Sequence, residues 1–242
     1  MRAMKAERML QSQGFGSRKE CRALIRAGVF AVDGVVVEDP FAELDTGALA
    51  FSVEGVEWRY REKAYVMLHK PGGYECSRKP QFHPSIFALL PQELSQRDVQ
   101  CVGRLDQDST GLLLLSDDGQ FIHVWSSGRK AIPKVYELTT SDPVSDDAIA
   151  ALVAGVSLHD EPAPVRAAAC ERLGERALRL TVTEGKYHQV KRMIGAVHNR
   201  VETLHRSAVG GLALPADLAP GAWRWLDEAD LARLRAFEPL GA

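Results

Sequence analysis

The sequence predicts an α+β protein in two parts, a small helix-and-hairpin unit over residues 1–60 and a larger domain over residues 61–242. Three observations carry this. A capped helical run leads into a two-residue hairpin signal near the start. Beyond it, strand candidates and helix candidates mix without regular alternation. Between them the stretch VEWRYREKA at 56–64 is polar and charged with apolar segments on both sides, which places the boundary there.

Taken in order, Met4–Leu10 reads as a short helix, separated by Gly14 and Gly16 from a second. Ser17-Arg18-Lys19-Glu20 is a capping box, with Ser17 placed to accept from first-turn amides and Glu20 three residues on, and Gly28 closes the helix. Asp33-Gly34 between Val29–Val32 and Val35–Val37 marks a hairpin. In the larger part, Tyr65–Leu68, Leu112–Leu115, Val135–Thr139, Pro164–Ala169 and Ala177–Val182 are strand candidates. Helices are expected at Asp118–Trp125, Asp146–Ala154, His188–Val197 and Glu228–Phe237.

The chain has 242 residues, 45% hydrophobic and 26% charged, as in ordinary globular proteins, and is long enough to bury a core without staples. Its strongest apolar run, Gly111–Leu115, is broken by Ser116-Asp117-Asp118, and MRAMKAERML lacks the apolar centre of a signal peptide. No membrane association is expected. The four cysteines are scattered without metal-ligand or disulfide-framework spacing, so a reducing cytoplasm is the expected compartment and no metal is indicated. No glycine-rich nucleotide fingerprint follows any strand candidate.

Net charge is only −2, yet charge is segregated. Residues 1–28 hold seven basic residues against two acidic ones, residues 29–60 hold one against seven, and a second basic island runs from Glu184 to Arg206. Arg18, Arg22 and Arg26 recur every four residues, so they share one helix face suited to a phosphate backbone. Two basic surfaces suit an RNA gripped twice, although a basic helix face is more often simply solvated.

Three clusters are rich in reactive groups. Gly103-Arg104-Leu105-Asp106 puts a carboxylate on a loop; such an Asp more commonly stabilises a turn than performs chemistry. Asp117-Asp118-Gly119 reads as a turn and helix cap rather than a metal site. Glu184–Met193 leads a turn glycine into a helix of cations in which Lys191 could hold a carboxylate ionised, while His188 and Gln189 could cap the helix. Tyr136 lies in a strand, where most tyrosines pack with a hydrogen-bonded tip.

Together these clusters resemble the RsuA family of bacterial rRNA pseudouridine synthases across nearly the whole chain. Gly103–Asp106 with Asp108–Gly119 is similar to the family's catalytic-aspartate motif, Met67–Tyr74 with Cys76-Ser77 to its first motif, and Lys134-Val135-Tyr136 and Glu184–Arg192 to the other two. His69, where relatives often carry Asn, and Lys191, where more distant synthases carry Arg, depart modestly. The first 60 residues resemble the alpha-L RNA-binding domain of the ribosomal S-four type.

The resemblance implies a mixed, mainly antiparallel catalytic sheet and a reaction without cofactor, since pseudouridylation detaches uracil, turns it and rejoins it through carbon. It implies Asp106 as nucleophile, on the ribose or on the ring; Lys191 as its ion-pair partner; and Tyr136 stacked on the uracil. Arg104 would help extrude the uridine, and Gly103, Leu105, Lys186, His188, Gln189 and Arg192 would line the substrate, with Arg18, Arg22 and Arg26 as a second RNA contact. Likeness to the small-subunit branch points to 16S rRNA, free or in an assembly intermediate, and a monomer is expected. Action on 23S rRNA or tRNA, and a non-catalytic role in ribosome assembly, stay open as alternatives.

Overall fold

The computed structural model describes residues 3–237, so Arg2 of the first basic tract lies outside the described residues. The chain divides into two compact units. One comprises the chain up to Ala64 together with Leu90–Val99; the other comprises Tyr65–Leu89 together with the chain from Gln100 onward.

In the first unit, β1 (Ala3–Lys5) leads directly into α1 (Ala6–Ser12), which is followed by α2 (Arg18–Arg26). The capping box on α2 is present: Ser17 N–H donates to Glu20 Oε2 at 2.7 Å, and Ser17 Oγ accepts from Glu20 N–H. Next come β2 (Phe30–Val32), β3 (Val35–Val36), β4 (Glu43–Asp45), β5 (Ala50–Val53) and β6 (Val56–Arg59). Four of these strands form a sheet in the order β3-β2-β5-β6, and β1 pairs with β4. Asp33 and Gly34 both take positive φ, 48° and 79°, the turn that lets β2 and β3 keep their right-handed twist. Met9, Leu10, Ile25, Phe30 and Phe51 fill the core between helices and sheet. A later helix, α3 (Gln92–Gln96), belongs to this unit.

The second unit is built on a mixed sheet. Its strands are β7 (Tyr65–Lys70), β8 (Gln100–Val102), β9 (Thr110–Ser116), β10 (Lys134–Thr140), β11 (Ala169–Gly174), β12 (Ala177–Val182), β13 (Val201–Val209), β14 (Leu212–Ala213) and β15 (Trp223–Trp225). The order is β11-β12-β10-β13-β9-β7-β15, with β14 beside β13 and β8 beside β9. Every pairing is antiparallel except β13 with β9. The helices are α4 (Gly119–Ser126), α5 (Asp146–Ala154), α6 (Gln189–Ala196) and α7 (Glu228–Arg235). Asp118 caps α4, accepting from the amides of Gln120 and Phe121. One apolar cluster joins α5 and α6 to β10, β12 and β13 through Leu138, Leu152, Leu178, Leu180 and Met193. A second joins α4 and α7 to β7 and β9 through Met67, Leu112, Leu114, Phe121 and Leu234.

One expected strand is corrected. Pro164–Ala169 is not a strand: Val165 forms a single bridge with Val156, Ala167 N–H bonds the carbonyl of Leu152, and the strand begins at Ala169. Pro164 has no N–H to give to a ladder, and the segment is tied to the end of α5 instead. The long strand β13 was not expected, because charged and imidazole side chains interrupt its apolar pattern.

Candidate active site

The loop between β8 and β9 sits where the edge of β9 changes partner. Residues 114–116 of β9 pair with β8, while residues 110–111 pair with β13, and the loop 103–109 emerges between the two. Gly111 makes this junction possible. It takes φ 109°, and a Cβ there would lie 2.3 Å from the carbonyl oxygen of Arg206. The loop is held from below by Lys70, fully buried at the end of β7. Its Nζ donates to the carbonyls of Ser109 (2.7 Å), Pro71 (3.0 Å) and Gln107 (3.1 Å), satisfying all three donors of an ammonium shut off from water. Burial lowers the Lys70 pKa from its ordinary value.

On this loop Asp106 is partly exposed and faces the start of α6. Lys191 Nζ lies 3.0 Å from Asp106 Oδ2 and also donates to both oxygens of Asp108, at 2.7 and 2.9 Å. Burial alone would raise the Asp108 pKa and lower that of Lys191; the hydrogen bonds and charge between them outweigh it in both, lowering Asp108 and raising Lys191. The other Asp106 oxygen lies 3.3 Å from His188 Nε2. His188 is the residue before α6 and takes a left-handed conformation, φ 46° and ψ 35°, unusual for a side chain of its size. That turn aims its ring at Asp106, where the exposed Tyr187 stacks on it at 3.9 Å between centroids.

These groups rim a cavity of about 110 Å³ lined by Gly103, Arg104, Leu105, Asp106, Tyr136, Lys186, His188, Gln189 and Lys191, with Lys134 and Arg206 among the other lining residues. This is the scale of one nucleobase, far too small for a duplex. Leu105, Val182 and Leu204 give it apolar walls, and Tyr136 presents its ring from β10. A second depression, lined by Glu75, Cys76 and Tyr187, meets the first at Arg104, Asp106 and His188. Arg104 is exposed between them.

Several cations expected to face substrate are engaged within the protein. Lys186 Nζ donates to Glu161 Oε2 at 2.6 Å, and Arg192 donates to Glu161 and to the carbonyl of His159. Arg192 does not line the cavity. Gln189 is buried and its Oε1 accepts from the Lys186 amide, bracing the turn before α6. In the first unit, Arg22 is ion-paired with the buried Glu7, and Arg18 Nε donates to Gln11; Arg26 is exposed. The arginine face is thus partly engaged within its own unit, which i, i+4 spacing does not foresee because Glu7 lies on the neighbouring helix. Lys70, Lys134 and Arg206 fall within the motifs and the basic tract read from the sequence but received no role there, because burial in a strand has no local signature.

A base-sized cavity with an ion-paired carboxylate at its mouth and an aromatic wall has the size and the groups for chemistry on a single nucleobase. Residues 64–196 match the family model described as RNA pseudouridylate synthase, and the chain belongs to that family, as its motifs led us to expect. Ribosomal small subunit pseudouridine synthase A of Escherichia coli (strain K12) is 38% identical over 230 residues, spanning 95% of this chain and 99% of that protein. Uncharacterized RNA pseudouridine synthase YtzG of Bacillus subtilis (strain 168) is 36% identical over 94% of this chain and 97% of its own. A crystal structure of a pseudouridylate synthase aligns with a TM-score of 0.68 at 31% identity, covering 96% of this chain and 99% of the other.

Proposed function

We propose that this protein isomerises one uridine of small-subunit, 16S, rRNA to pseudouridine with Asp106 as the nucleophile. The observation that carries the reading is Asp106 at the mouth of a base-sized cavity, paired to Lys191 at 3.0 Å with Tyr136 in the wall. The names of relatives such as the Escherichia coli synthase support the small-subunit substrate.

Each step follows from a group on the rim. The uridine leaves its stack, and Arg104 braces the gap it vacates. The base enters against Tyr136 and Leu105. Lys191 keeps the Asp106 carboxylate oriented, and Asp106 attacks C1′ of the ribose or the uracil ring. The reaction transfers no group and no net electrons, so side chains of this chain suffice. His188, Lys186 and Gln189 shape the rim toward the RNA, and Arg192, outside the cavity, shares Glu161 with Lys186. Residues 1–60 act as an alpha-L-type RNA-binding domain through Arg18, Arg22 and Arg26, and 61–242, apart from Leu90–Val99, as the catalytic domain. The protein works as a cytoplasmic monomer.

The test is a chemical map of pseudouridine in 16S and 23S rRNA from cells with and without the gene, rescued by wild type or by Asp106→Asn. Loss of one 16S site, restored by wild type and not by the variant, supports the proposal. Survival of every 16S site overturns it, and loss of a 23S site instead reassigns the substrate.

A further inference from the structure

The floor of the cavity carries two cations that the steps above do not use. Lys134 begins β10 and is 6% exposed; its Nζ reaches the carbonyls of Ile132 and Glu184, each at 3.3 Å, long for an ammonium donor. Arg206 on β13 is 2% exposed. Its Nε donates to the carbonyl of Leu112 at 2.8 Å, while its buried Nη2 finds no acceptor among the described residues. Tyr136 and Arg206 are direct partners across β10 and β13, and all three side chains line the cavity. Among the described residues neither cation has a carboxylate within ion-pair distance. Two buried like charges left this way cost stability, which is tolerable where a bound group supplies the missing negative charge.

We propose that Lys134 and Arg206 form a cationic floor that takes the carbonyl oxygens of the uracil and holds the negative charge they acquire during the rearrangement. This rests on the functional reading above. By the ribose route the C1′–N1 bond breaks with its electron pair on uracil, and the charge spreads from N1 to O2 and O4. The ring then turns, C5 bonds to C1′ as the Asp106–C1′ bond breaks and frees the carboxylate, the C5 proton leaves to a base and N1 takes up a proton. By the ring route Asp106 adds to C6 and the electron pair of the C5–C6 double bond moves toward C5 and O4; the N1–C1′ bond then breaks, C5 bonds to C1′, N1 takes up a proton, and loss of the C5 proton to a base expels the Asp106 carboxylate from C6. Charge reaches the carbonyl oxygens either way, so donors fixed beneath them favour the transition state whichever atom Asp106 attacks.

Burial, with the charge of Arg206, brings the Lys134 pKa down to about 8. The charged or titratable groups that share the cavity with it are Arg206 from β13, Glu184 and Lys186 after β12, Tyr136 on β10, Arg104 and Asp106 on the loop after β8, and His188 and Lys191 at the start of α6.

The experiment is single-turnover pseudouridine formation on unmodified 16S rRNA, free or partly assembled, across pH, with RNA binding measured alongside. Lys134→Met should slow the reaction about 10²-fold while RNA affinity changes by less than about threefold. Lys134→Arg, whose charge does not titrate, should move the alkaline fall of the wild-type profile to higher pH. A Lys134→Met rate within about threefold of wild type, or an alkaline fall unmoved in Lys134→Arg, overturns the inference while leaving the functional reading intact. If Lys134→Met does not fold by circular dichroism, the Lys134→Arg profile decides alone. No pseudouridine from the wild-type protein overturns the functional reading, and the inference with it.

Discussion

Asp106, Asp108 and Lys191 form a unit in which one ammonium serves two carboxylates, so the chemistry of Asp106 is separable from its shape. Asp106→Asn keeps the shape but exchanges one acceptor oxygen for an NH2 donor and loses the nucleophile. It should abolish turnover in the single-turnover assay while RNA affinity stays within about threefold of wild type, and persisting turnover removes Asp106 from its role. Lys134 makes the complementary prediction about stability. Its folded pKa of about 8 lies below the ordinary lysine value of 10.5, so folding opposes its charge at neutral pH. That penalty is full below pH 8 and is relieved as pH rises from 8 toward 10.5. At roughly 1.4 kcal/mol per pH unit the gap is on the order of 3 kcal/mol. Lys134→Met should therefore be more stable than wild type in urea at neutral pH, with the advantage shrinking toward pH 10.5. An advantage that does not shrink would sink this account.

At the scale of elements, the site depends on β9 exchanging β8 for β13 along one edge, and on Gly111 at that exchange. A side chain there meets the Arg206 backbone at 2.3 Å and a φ of 109°. Gly111→Ala should cost about 2–4 kcal/mol in urea denaturation and slow catalysis as well, since the same backbone carries Arg206 and borders the Asp106 loop. A fully stable, fully active variant would show that the junction is not needed. Local pattern did disclose much at this scale. The α2 capping box, the Asp33-Gly34 turn, the Asp118 cap and helix α5 were all readable, because each is decided by residues within a few positions of one another. β13 was not readable, for its neighbours on both sides, rather than its own periodicity, make it a strand.

For the whole molecule, the near-zero net charge hides two basic regions, and the first keeps Arg26 exposed while Arg22 is neutralised by Glu7. Replacing Arg18 and Arg26 together by Ser should weaken RNA binding and lower the slope of log K against log salt by about 1–2, on the footing of about 0.7–0.9 per phosphate contact. An unchanged slope would mean that these arginines do not touch the RNA phosphates.

By itself the sequence determined the family, through four motifs in order, and the type of nearly every strongly patterned element, since capping, turn chemistry and amphipathic spacing act over a few residues. Tertiary structure alone decided which charged groups meet. Lys191 reaches Asp106 and Asp108 across more than eighty positions, Lys70 clamps a loop nearly forty residues away, and Glu161 takes up Lys186 and Arg192. It also decided that Lys134 and Arg206 lie out of water beside Tyr136 in the same cavity. The physical reason is that burial and ion pairing depend on which strands become neighbours, and pairing between strands distant in sequence is settled by the packing of the whole sheet.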